Sequence, residues 1–233
     1  MFALYKKEIR FFLNNPIGYI VIILFAVFAN FFYVKDIFIV GSGSMRPFFM
    51  FTPWLLMIFI PAMAMRSFAE EKKANTLETL LSLPLSEAQI VAAKFMAIMS
   101  LFVVGLSLTV ALPIMLFILT RTSIAEIIIS YAGVLLMGSF FTALSLFLSL
   151  KTKNQIVAFL SSAFFIFILN VLATDFLGTS LPKELLNPLI YYSPQYHFDS
   201  FLKGVVDIRA VFYFLSFTVA FLYLAIKDLN KKI

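Results

Sequence analysis

Six stretches of this 233-residue chain are long and uncharged enough to cross a bilayer, and they restrict the possible folds more than any other feature. A helix needs about twenty mostly apolar residues to span a hydrocarbon core of about 30 Å. The cores run from Ile17 to Tyr33, Phe48 to Met65, Phe95 to Leu119, Ile127 to Ser149, Gln155 to Ala173 and Ala210 to Ile226, and none contains Asp, Glu, Lys or Arg. Backbone amides have no water to pair with in lipid, so each run must satisfy its own hydrogen bonds as a helix or join a closed barrel. The in-out alternation of barrel strands is absent, which leaves helices. Hydrophobic residues make up 62% of the chain and charged residues 13%, which excludes an ordinary soluble domain. The expectation is an all-α integral membrane protein forming a single transmembrane domain over residues 1–233.

Six crossings place both termini on one side, together with the polar island Arg66 to Lys94 and the short loop Leu150 to Asn154. That side carries twelve of the 18 Lys and Arg residues, and the opposite loops, of equal total length, carry six. Acidic residues divide equally, so the net charge of +6 belongs to the first side. The positive-inside rule then predicts that the termini and the island are cytoplasmic. A charge so placed is a topological signal, and nucleic acid is not implied as a partner. The chain has no Cys and a single histidine, His197, so thiolate sites and His clusters are excluded.

Residues 1–16 read as a helix lying in the membrane interface. Phe2, Tyr5, Ile9, Phe12 and Leu13 fall on one face and Lys6, Lys7, Arg10 and Asn14 on the other, before Pro16 lets the chain turn into the first crossing. Residues 174–209 are too polar to span, yet contain the clusters "LLNPLIYY" and "FLKGVV". Short re-entrant helices entering the outer leaflet account for both properties.

Inside the island, Asn75 with Glu78 and Ser86 with Gln89 fit the capping box, which predicts two helix starts. The first helix would run from Thr76 to Leu83, about 12 Å, and stop before Pro84. Its Leu77, Leu80 and Leu81 would form one apolar side, behind the charge cluster of Glu70, Glu71, Lys72 and Lys73. A short helix of this kind, presented to water, suits docking into a partner's groove.

The stretch "MRSFAEEKKANTLETLLSLPLSEAQIVAAK" resembles the cytoplasmic coupling segment of ABC-2-type transporter permeases, which reads roughly R-x-F-A-E-E-(K/R)-x-x-G-T-L-E-x-L-L-x-x-P, then Q-I-V and a Lys. "NPIGYI", "PWLLMIFIPAMAMRSF", "KTKNQIVAF" and "HFDSFLKGVVDIRAVFYFLS" are similar to the gliding-motility-type branch of that family. Asn75 stands where the family usually has Gly. Asn tolerates left-handed backbone better than most residues, so the turn is expected to form.

The resemblance implies a six-helix permease subunit with an interfacial helix, a coupling helix and outer re-entrant helices. It implies a homodimer or heterodimer of permeases in the cytoplasmic membrane of a prokaryote, working with separate ABC ATPase subunits, and favours export over import without naming a substrate. No stretch matches G-x-x-x-x-G-K-[ST], so ATP is expected to be bound by the partner and this chain to carry no cofactor, metal or catalytic residue. The coupling role passes to Arg66, Glu70, Glu71, Thr76, Leu77 and Glu78. Glu70 and Glu71 would meet basic groups on the ATPase, Leu77 would fill an apolar pocket there, and Glu78 would either do likewise or cap its own helix.

Charge-free spans weigh against a transporter driven by protons or sodium, which normally carries ionisable residues within its crossings. The remaining alternatives are an ion-independent channel, for which the spans offer no positive sign, and an intramembrane or outer-surface enzyme resting on His197 near Asp199.

Overall fold

The computed structural model describes residues 1–40, 44–120, 123–172 and 190–230, and among them every regular element is a helix. The helices are α1 (Phe2–Asn14), α2 (Pro16–Val40), α3 (Arg46–Ala64), α4 (Arg66–Lys73), α5 (Leu77–Leu81), α6 (Glu87–Ser107), α7 (Ala111–Thr120), α8 (Ile124–Lys151), α9 (Gln155–Val171), α10 (Pro194–Leu202) and α11 (Ile208–Asn230). Five stretches are long and apolar enough to cross a membrane: Pro16–Lys35, Arg46–Lys73, Glu87–Ile118, Ile124–Lys151 and Ile208–Asn230. These answer to five of the six expected cores. Within the sixth expected core lies α9, a shorter apolar helix of 17 described residues, or about 26 Å at 1.5 Å per residue.

Proline explains the one interruption in the third stretch. Pro113 has no N–H, so a continuous helix would leave the Thr109 carbonyl unpaired. The chain turns at residues 108–110 and restarts at Ala111, which puts Pro113 in a first turn where no donor is missed. The Thr109 hydroxyl donates to the Leu106 carbonyl at 2.7 Å and shares a 2.9 Å hydrogen bond with Tyr131 of α8.

Helix α8 packs against α11, α3, α9, α10, α4 and α6. Phe140, Phe141, Val134 and Met137 are fully buried along it. Two glycines on α8 let neighbours come close. A Cβ on Gly138 would sit 2.2 Å from the Phe102 ring of α6, and one on Gly133 2.6 Å from the Phe201 ring of α10. Small-residue packing is therefore their role. Trp54 likewise packs between helices, edge-on to Phe167 of α9.

Polar side chains gather at the two ends of the bundle. At one end Lys151 of α8 pairs with Asp228 of α11 at 2.6 Å, beside α1, α4 and the start of α6. At the other, Ser130 of α8 donates to the Phe201 carbonyl, Ser193 to the Leu169 carbonyl of α9, and Tyr213 to the Tyr192 carbonyl. Helices α8 and α11 thus each reach from one of these ends to the other. Of the expected re-entrant segment, residues 174–189 lie outside the described residues. The remainder forms α10, a short helix capped by the Ser193 hydroxyl, with Phe198, Phe201 and Leu202 buried.

Helix α1 forms where expected but faces a different way. Leu4, Glu8 and Phe12 are buried, Tyr5 and Ile9 are half-buried, and Phe2 and Leu13 are exposed. A carboxylate turns inward because it meets a cation there, which a ranking of faces by hydropathy does not register.

Candidate functional site

The polar island folds as a helix, a tight turn and a shorter helix, held to the bundle on three sides. Helix α4 continues the direction of the chain beyond α3, so Glu70 and Glu71 stand on an extension of the second crossing and not in a loop. The leading amides of a helix lack partners within it. Here a hydroxyl from another helix supplies them: Ser149 Oγ of α8 accepts from Phe68 N–H and Ala69 N–H, both at 3.2 Å, and donates to the Met65 carbonyl at 3.3 Å. One turn later Lys72 Nζ donates to the carbonyl of Leu150. Both ends of α4 are thereby fastened to the end of α8.

The turn after α4 is made by Asn75, whose φ of 55° makes it the only non-glycine residue with positive φ among those described. Thr76 N–H reaches back to the Glu71 carbonyl at 2.9 Å and Asn75 N–H to the Lys72 carbonyl at 3.4 Å. This pair of bonds is the Schellman motif, with Asn75 in the position that usually takes glycine. The expected capping role of Asn75 is therefore replaced by helix termination, and α5, without a side-chain cap, spans Leu77–Leu81 and not Thr76 to Leu83. The second expected start is present in full: Ser86 Oγ accepts from Gln89 N–H, and Gln89 Oε1 accepts from Ser86 N–H.

At the centre lies Lys94, 1% exposed, on the first turns of α6. Its ammonium donates to Glu8 Oε1 of α1 at 3.0 Å, Glu71 Oε1 of α4 at 2.8 Å and the Ser67 carbonyl at 2.7 Å. An ammonium has three donors, and all three are used. It also lies 5.0 Å from the centre of the Phe68 ring. One cation thus joins three helices.

The six expected coupling residues divide into two groups. Arg66 and Glu70 pair bidentately along α4, at 2.8 and 3.0 Å, with Arg66 also over the Phe11 ring of α1. Glu71 pairs with Lys94. Leu77 is buried beside Leu80 in this chain's own core, so its expected role in a partner's pocket is filled from within. Thr76 and Glu78 are exposed. Beside Glu78 a cavity of about 270 Å³ is lined by Lys72, Asn75, Leu77, Leu81 and Lys153. Lys94, Glu8 and Ser149 were not singled out from the sequence. For Lys94 the signals are its place just ahead of an apolar run and the Lys that closes the coupling-segment pattern.

His197 and Asp199 do not form an acid-base pair. His197 donates from Nε2 to the Tyr191 carbonyl at 2.9 Å and stacks on Tyr213 with ring centres 4.0 Å apart. Burial pushes its pKa down, against the weaker opposing influence of that carbonyl and of Asp207. Asp199 instead pairs with Lys203 at 2.6 Å. Among the described residues no group of three His, Asp or Glu side chains is placed to hold a metal ion.

A profile of the family described as "ABC-2 family transporter protein" matches residues 37–227, most of the chain. No curated protein sequence matches it.

Proposed function

The chain belongs to the ABC-2 transporter family, and we propose that it is a permease subunit whose α4 and α5 receive the motion of a separate ATPase. The observation that carries this reading is the attachment of the island to three helices through Lys94 and Ser149. A push on α5 and the turn at Asn75 cannot be absorbed locally. It reaches α6 through Lys94, α8 through Ser149 and Lys72, and α1 through Glu8.

In this reading α9 completes a sixth crossing, the termini and the island face the cytoplasm of a prokaryotic cell, and α1 lies in the interface. The chain pairs with a second permease, and the complex exports its substrate. Two ATPase subunits closing on nucleotide bring two islands together and bias the dimer between inward-facing and outward-facing states. Nucleotide does so only through its different affinity for those states. Within the island, exposed Thr76 and Glu78 make the contact, with Leu81 and Lys153 at the neighbouring cavity. Arg66, Glu70, Glu71 and Leu77 hold the island to the bundle and transmit force.

The test is purification of the tagged chain in mild detergent from its native membrane, with and without Glu78→Arg combined with Leu83→Asp. Both residues are exposed, so the fold should be unaffected. A nucleotide-binding subunit should accompany the unaltered chain and hydrolyse ATP, and the double variant should lose it. Recovery of the chain alone, or an ATPase retained equally by the variant, would refute the coupling reading.

A further inference from the structure

The interfacial helix and the island enclose a cavity of about 240 Å³ that coupling does not require. A single water needs only roughly 15 Å³ of such space. Its floor holds Ser67 and Lys94, its walls Phe11, Phe12 and Glu71, and its rim the exposed Lys7. Most of the charge here is already engaged. Lys94 has no donor left, and both oxygens of Glu70 accept from Arg66.

Two buried atoms are left over. Ser67 Oγ and Glu71 Oε2 have no hydrogen-bond partner, and Ser67 is 5% exposed. Buried polar atoms normally find partners, and an unpaired acceptor four residues along one helix from an unpaired hydroxyl is matched by a ligand that donates. A carboxylate oxygen in addition favours a positive charge. At the rim the sign reverses, since Lys7 favours an anion. Phe11 and Phe12 add an apolar wall. A small cation at depth, an anion at the mouth and apolar surface alongside describe one kind of molecule.

We infer that this cavity binds the headgroup of a zwitterionic primary-amine phospholipid, with the ammonium on Glu71 Oε2 and Ser67 Oγ and the phosphate on Lys7. The inference rests on the interfacial placement of α1 proposed above, which sets the mouth at headgroup depth. Exposed Phe2 and Leu13 on the same helix as Lys6, Lys7 and Arg10 support that depth. A quaternary ammonium has no N–H to donate, and a glycerol headgroup has no cation. The site should therefore discriminate among lipids by the chemistry of the amine. In each protomer such a lipid would bridge the first helix and the island.

The probe is native mass spectrometry of the full chain released from bilayer discs holding phosphatidylethanolamine, phosphatidylcholine and phosphatidylglycerol in equal amounts. One phosphatidylethanolamine per chain should be retained preferentially. Ser67→Ala removes only an unbonded hydroxyl and Lys7→Ala an exposed ammonium, so both variants should fold. Each should lower that retention about fivefold, the effect of losing one hydrogen bond. Soluble phosphoethanolamine should not displace the lipid. Equal retention of the three lipids, preference for phosphatidylglycerol, unchanged retention in both variants, or displacement by the soluble ester would each overturn the assignment. The readout needs no ATPase, so a chain that selects the lipid but captures no ATPase would sink the proposed function and leave this inference standing.

Discussion

Replacing Lys94 by methionine should be among the most damaging single substitutions in the chain. Methionine keeps the length and apolar stem of lysine but strands two carboxylates, with the side chain of Glu8 7% exposed and that of Glu71 16% exposed. Removing one partner of a buried ion pair costs about 3–5 kcal/mol, because the remaining charge is desolvated and uncompensated. For a chain of this size each kcal/mol moves the melting temperature by about 2–4 °C, so Lys94→Met should lower it by roughly 6–20 °C. The reasoning makes a second demand. If uncompensated charge is the cause, adding Glu8→Gln and Glu71→Gln should restore most of the loss, since a buried ionic group exchanged for neutral residues of similar volume is often neutral in stability. The assay is thermal unfolding in detergent followed by intrinsic fluorescence and gel filtration. A fall of under about 3 °C for the single variant, or a triple variant no more stable than the single one, would refute this account of Lys94.

Two further predictions concern the turn and His197. Asn75→Gly should be neutral or slightly stabilising, whereas Asn75→Val, with a branched Cβ at positive φ, should cost about 1–2 kcal/mol; equal melting temperatures for the two would contradict the assigned turn. The lowered pKa of His197 means that the unfolded chain binds its proton more readily than the folded one. The stability held above the unfolded value of about 6.5 is lost as pH falls from there through the folded pKa. Melting temperatures taken from pH 7.5 to 5.5 should drop, and His197→Gln should flatten the slope. An unchanged slope in that variant would assign the drop to other groups, with Asp207 and the pair of Asp199 and Lys203 nearby.

What the sequence made legible was local. The apolar runs and the Ser86 cap each depend on residues within a turn or two of one another, and each appears as a helix or a helix start in the structure. Asn75 was read as tolerating left-handed backbone, and it does so, but it ends the helix before it and does not start the next. The choice between those roles depends on whether α4 exists, and α4 depends on Ser149, some eighty positions away. Leucines that look free on a helical wheel, Leu77 and Leu80, are buried for the same kind of reason. Glu8 shows the limit best. Alone it marks a polar face, and only a cation 86 residues distant makes it an interior residue.

That separation also imposes an order on biogenesis. A nascent chain exposes Glu8 first, and Lys94 emerges 86 residues later. At about 5–20 residues per second the interval is roughly 4–17 s. Throughout it α1 has a carboxylate on its inward face without the cation that pairs with it in the fold. Helix α1 therefore gains its ion pair only after α2 and α3 have been made and α6 has begun, and a chain that stops short of Lys94 lacks that fastening and is recognisable as unfinished.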